Sequence, residues 1–131
     1  MRLNIKYIIL FLVTFLYVSN TTFSQNKPNK KGIKKVTYYW DSKNTRKQSE
    51  GYIVDNPKFS FNGEKMGKWT HWFKNGRIQA KGNYYLGKPD GLVQQYYESG
   101  QLKAKGYFKE GLQDSITSLY YENGNIAEEG S

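Results

Sequence analysis

Few residues in this 131-residue chain are of types that carry chemistry. There is one histidine, His71, and no cysteine. The lack of cysteine removes thiol nucleophiles, thiolate metal ligands, disulfides and a lipid-anchored cysteine together. His71 stands between Thr70 and Trp72, at a place that Gln95 and Leu119 take in later copies of the repeat described below. A catalytic base does not share its position with glutamine and leucine, so His71 reads as a structural or solvated imidazole. Asp90, Glu98, Asp114 and Glu122 recur at turn-like places, where carboxylates are ordinary. Paired-carboxylate hydrolysis needs two of them in one cleft, and a calcium loop needs a ligand spacing that neither aspartate segment has. No phosphate loop or nucleophile motif occurs. The expectation is a non-enzyme with no catalytic residue, no cofactor and no metal.

What the chain does have is rings, with 12 Tyr, 7 Phe and 3 Trp, and these recur at a fixed step. Gly76, Gly100 and Gly124 lie 24 residues apart, as do Gly82, Gly106 and Gly130, and Gly63, Gly87 and Gly111. Between them run Trp72-Phe73, Tyr96-Tyr97 and Tyr120-Tyr121, then Ile78, Leu102 and Ile126. A repeat of this length is one supersecondary unit that buries its apolar surface against its neighbours. The units span 63–86, 87–110 and 111–131, behind a degenerate cap at 36–62 whose Tyr39-Trp40 and Gly51-Tyr52 match the later pattern. The cap needs about two extra turn residues and a longer link through Asn56-Pro57 to Gly63.

Each unit reads as two strands around a tight turn. Lys74-Asn75-Gly76, Glu98-Ser99-Gly100 and Glu122-Asn123-Gly124 place glycine where a turn needs positive φ. A second punctuation falls at Gly87-Lys88-Pro89-Asp90-Gly91 and at Gly111 to Asp114. Alternation then puts Ile78, Ala80, Gly82 and Tyr84 on one face and Arg77, Gln79, Lys81 and Asn83 on the other. Leu102, Ala104, Gly106 and Phe108 repeat the first set. A ring beside such a glycine can lie over bare backbone. The adjacent aromatics predict two ladders on opposite faces: Trp72, Tyr96 and Tyr120 on one, Phe73, Tyr97 and Tyr121 on the other. With Trp69, these six are the candidate binding residues, because a single-layer sheet cannot bury both faces. The predicted fold class is all-β, a single-layer antiparallel meander of tandem hairpins.

The Gly-x-Trp to aromatic-pair to Asn/Ser-Gly pattern resembles the MORN repeat, in its shorter bacterial, antitoxin-like variant. It runs as Gly67-Lys68-Trp69 to Trp72-Phe73-Lys74-Asn75-Gly76, as Gly91 to Tyr96-Tyr97-Glu98-Ser99-Gly100, and as Tyr120-Tyr121-Glu122-Asn123-Gly124. The likeness covers about residues 36–131. It implies an elongated twisted meander that serves as a protein- or lipid-binding scaffold. Ser115 replaces the glycine of Gly67 and Gly91, and Val93 and Thr117 stand where Trp69 does.

The N-terminus reads as a signal peptide over 1–24. Arg2 and Lys6 precede an apolar run from Tyr7 to Val18, and small residues at Thr22 and Ser24 place a cut before Gln25. Twelve such residues in a helix reach about 18 Å, short of a ~30 Å hydrocarbon core. Export to the periplasm, outer surface or medium follows. Residues 25–35 read as a flexible lysine-rich arm carrying Lys27, Lys30, Lys31, Lys34 and Lys35. Residues 26–109 hold 18 basic and 6 acidic side chains, net +12, whereas residues 110–131 hold none and 5, net −5. A protein partner is favoured on this reading, and anionic lipid or envelope polysaccharide is the next class. Export disfavours nucleic acid. The charge asymmetry also permits head-to-tail self-association, and neutralisation of a co-secreted toxic protein is a third role.

Overall fold

The glycine spacing sets the turns, and the turns set the sheet. In the computed structural model, residues 32–58, 60–114 and 117–130 are described. They form β1 (Ile33–Tyr39), β2 (Lys47–Val54), β3 (Lys65–Trp72), β4 (Ile78–Tyr85), β5 (Lys88–Tyr96), β6 (Leu102–Lys109), β7 (Leu112–Gln113), β8 (Thr117–Tyr120) and β9 (Ile126–Gly130). All pairings are antiparallel, in the order β1-β2-β3-β4-β5-β6-β8-β9, with the short β7 also beside β6. The expected meander of hairpins is present. The signal segment 1–24 and Lys27, Lys30 and Lys31 lie outside the described residues.

Three hairpins share one turn. Gly76, Gly100 and Gly124 donate their N–H to the carbonyls of Phe73, Tyr97 and Tyr121 at 3.0, 2.9 and 2.9 Å. Their φ angles of +84°, +96° and +86° suit a type I turn closed by a left-handed residue. In the cap the equivalent closing bond, Trp40 N–H to Arg46 carbonyl, spans two more residues than Phe73 N–H to Arg77 carbonyl. Asp41 holds that longer loop by accepting from the Thr45 and Arg46 amides at 3.1 and 2.9 Å. The same pairing irregularity recurs beside the last strand residue of all four hairpins, at Tyr39, Trp72, Tyr96 and Tyr120.

Two sequence expectations are corrected. The link between hairpins is not the stretch Gly87 to Gly91 but the pairs Leu86-Gly87 (φ +48°, +80°) and Glu110-Gly111 (φ +52°, +86°), two-residue turns whose twist matches the strands. Pro89 sits inside β5, buried opposite Tyr84, and Gly91 (φ +98°) occupies a bulge there. Lys34 and Lys35 are not in a free arm but in β1, paired with Ile53 and Tyr52. Ile33 opposite the fully buried Val54, together with the Lys35–Glu50 ion pair at 3.2 Å, draws this segment into the sheet.

One face packs against itself. Val36 pairs Gly51, Trp69 pairs Gly82, Gly82 pairs Val93, Val93 pairs Gly106, and Thr117 pairs Gly130. Larger residues on one set of strands thus alternate with glycines on the next. The Trp69 ring, 2 % exposed, lies flat on Gly51, where a Cβ would fall inside the indole. Tyr84 and Phe108 fold back over the glycines of their own strands, Gly82 and Gly106, at 3.6 and 3.4 Å from where a Cβ would be. A single layer buries a core because bare backbone lets rings lie on it.

Gly51→Ala therefore forces the tryptophan off the sheet and should cost about 1–3 kcal/mol. Gly76→Ala meets nothing within 4 Å and bears only the left-handed strain, about 1 kcal/mol. Thr117, 2 % exposed, buries a hydroxyl that has no hydrogen-bond partner among the described residues. Thr117→Val should stabilise by about 1 kcal/mol. One urea series checks the three; equal midpoints for Gly51→Ala and Gly76→Ala would remove the packing role assigned to the glycine row.

Candidate binding face

Trp72, Tyr96 and Tyr120 end β3, β5 and β8 on the face opposite the core, half-buried rather than bare. Lysines from the preceding strands cover them. The ammonium of Lys47 lies 5.6 Å from the Trp72 ring centre, that of Lys81 5.5 Å from Tyr96, and that of Lys105 5.7 Å from Tyr120. The last two pairs are register-equivalent. Lys81 opposes Gln94 and Lys105 opposes Ser118, with the ring two residues further along. Such diagonals are within reach of long side chains. In the cap, Glu50 takes the place of these lysines and bonds Lys47 at 2.8 Å and Lys35 at 3.2 Å. Those two ammonium groups, Lys47 first, with Thr37 assisting, hold the Glu50 carboxyl down to about 2. Lys105 and Tyr120 share a hydrogen bond that raises the amine and lowers the phenol. Sequence reading identified the rings and placed Lys81 on the polar face. It missed the lysine–ring pairing, although the 24-residue step between Lys81 and Lys105 signals it.

Phe73, Tyr97 and Tyr121 do not form the expected second ladder on the other face. The strand ends one residue earlier, and these side chains belong to the turns. There they connect hairpins. Tyr97 donates its hydroxyl to the Tyr120 carbonyl at 2.8 Å, and Trp40 donates its indole N–H to the Trp72 carbonyl at 3.2 Å. Phe73 has no such donor, and Arg77 substitutes, reaching the Glu98 and Ser99 carbonyls at 3.0 and 2.7 Å. Lys74 lies over Trp40 and Lys103 over Tyr97, at 5.5 and 5.4 Å. Tyr121 is 58 % exposed. Trp69 is core: it donates its N–H to the Tyr52 carbonyl at 2.8 Å and stacks on Tyr38.

His71 lies on the core face between Ser49 and Ala80 and stacks on Trp69. Lys65 reaches across Trp69 and Tyr84, 4.7 and 4.9 Å from their ring centres, and brings its amine within 3.4 Å of His71 Nε2. An ammonium only donates, so Nε2 accepts and the imidazole is neutral. Burial, then the Lys65 charge, pushes the imidazole down to about 4, and burial lowers the Lys65 amine. No group of three metal-ligating side chains gathers among the described residues. A folded-state value below the unfolded 6.5 means that protons bind the unfolded chain better between the two. The stability from neutral His71 is full above pH 6.5 and is lost as pH falls toward 4. His71→Gln, matching Gln95 one repeat on, should remove about 1–3 kcal/mol of that loss. Urea midpoints of both proteins at pH 7 and pH 4.5 read this out; parallel falls would refute it.

Residues 67–84, 89–110 and 113–131 match a family model described as the MORN repeat variant. No curated protein and no solved structure matches the chain. The matched stretches follow the hairpins, each carrying one lysine-facing ring. The MORN repeat is not an enzyme family, and its repeats mediate protein or membrane-lipid interactions. From Gly67 onward, the hairpins of this chain are thus similar to the MORN repeat variant.

Proposed function

We propose that this protein is an exported, non-catalytic interaction module that holds an envelope protein or polymer against its lysine–aromatic face. The observation that carries the reading is the row Lys47–Trp72, Lys81–Tyr96 and Lys105–Tyr120, in which a cation and a ring recur on one face. Rings without lysines would serve packing alone; lysines without rings would be a solvated surface. Together they offer stacking area and a mobile positive charge at each step. Export rests on the charged and apolar N-terminal pattern. Among the described residues no helix is long and apolar enough to cross a membrane. An antitoxin-like role would use the same face against a co-secreted toxic protein.

A second reading has its own observation. Lys34 and Lys35 lie on edge strand β1, and Glu128 and Glu129 lie on β9 at the opposite edge. Oppositely charged open edges can pair and extend the sheet from copy to copy.

Two experiments separate the readings. Lys81→Gln/Lys105→Gln should leave the fold intact by circular dichroism yet reduce co-sedimentation with a washed envelope fraction several-fold at low salt. Undiminished co-sedimentation would exclude this face. Light scattering at low and high salt tests the edges: growth of mass at low salt, abolished by Glu128→Gln/Glu129→Gln, supports assembly, and a constant monomer mass rejects it.

A further inference from the structure

The row on the polar face has a period as well as a composition. One repeat advances two strands, so equivalent lysine–ring pairs lie about 9.4–9.8 Å apart across the sheet. An extended peptide turns a side chain to one face only about every 6.6 Å, so its acids drift out of step with this row. Duplex phosphates recur about every 3.4 Å along each strand and drift faster. A lipid surface is flat, whereas strands in a sheet rotate by about 20–25° each, which turns successive pairs by about 40–50°. A plane meets one pair squarely and not the next. A chain that can rotate at its linkages follows all of them.

Each pair also specifies a subunit. The ring offers a flat apolar surface, suited to the C–H face of a sugar. The ammonium above it sits on a long flexible stem and can swing off the ring to meet an anion at its edge. Two β-linked pyranose rings reach about as far as two strand spacings. We propose that the polar face binds a linear β-linked polysaccharide bearing one carboxylate per disaccharide, with Lys81–Tyr96 and Lys105–Tyr120 each taking one disaccharide. The proposal rests on the interaction-module reading above and names its ligand. Glu50 sets one end of the site: it occupies the equivalent lysine position and already engages Lys35 and Lys47, which leaves the Trp72 pair the weakest. Glu129, accepting from Ser118 Oγ at 3.2 Å, flanks the other end beside Lys105. Exposed Tyr107, two residues from Lys105 on the same strand face, adds apolar area next to the second subsite.

The test uses the full chain, calorimetry at low salt, and oligosaccharides of alternating uronic acid and N-acetylhexosamine in two, four and six sugars. Affinity should rise several-fold from two sugars to four and level off by six. Lys81→Gln/Lys105→Gln should weaken binding about fivefold to tenfold. Tyr96→Leu should weaken it while leaving the circular dichroism spectrum unchanged. Uncharged N-acetylglucosamine oligomers, polyglutamate and anionic phosphatidylglycerol vesicles should bind more weakly. Binding that ignores length, or equal binding of polyglutamate or vesicles, overturns the proposal. So does the absence of oligosaccharide binding. If the envelope fraction still retains the protein in a Lys81- and Lys105-dependent way, the glycan is wrong and the module reading stands; if it does not, both fall.

Discussion

A large side chain lying on a glycine in the neighbouring strand is the contact on which this sheet depends. A lone antiparallel layer has no second layer to cover it, and two-stranded pieces of such a layer are marginal in water. Here the cover comes from within. Gly51 under Trp69, Gly82 between Trp69 and Val93, and Gly106 between Val93 and Thr117 let one row of side chains close over the backbone. The row thins from tryptophan to valine to threonine along the chain, and the last member buries a hydroxyl with no partner among the described residues. The sheet is therefore best packed near its cap and least well packed toward β9, whose residues are mostly exposed.

The two faces follow from that one row. Because successive strand residues point oppositely, assigning glycine and its covering residue to one face assigns Lys81, Lys105 and their rings to the other. The irregular pairing at the strand ends brings Ile78, Leu102 and Ile126 opposite Trp72, Tyr96 and Tyr120, and the next aromatic falls in the turn. The turn residues then tie hairpins edgewise, through Trp40, Arg77 and Tyr97. Packing, surface chemistry and repeat-to-repeat coupling are thus three uses of one 24-residue pattern.

Much of this was legible before any coordinates. Glycine registers and turn tripeptides sufficed for the hairpins, the cap with its two extra loop residues, and the burial of Ala104, Tyr84 and Phe108. The link turns were misplaced because Pro89 and Gly91 look like a loop in isolation; only the sheet reveals a proline and a bulge inside a strand. Trp69 was grouped with the binding rings because type and spacing do not say which ring lies on a glycine. His71 reads from its spacing as a structural or solvated imidazole, yet its tie to Lys65 was invisible, since the two are joined across a bulged strand rather than by a spacing rule.

By itself, the sequence determined the repeat, the strand alternation and the charge asymmetry between the two ends, because these depend on residue type and period along the chain. The tertiary structure decided which aromatic is core, which is a turn clasp and which faces solvent under a lysine. That choice turns on which residue each ring meets across the sheet and on where each strand ends. Local spacing cannot carry that information, because the pairing exists only between strands.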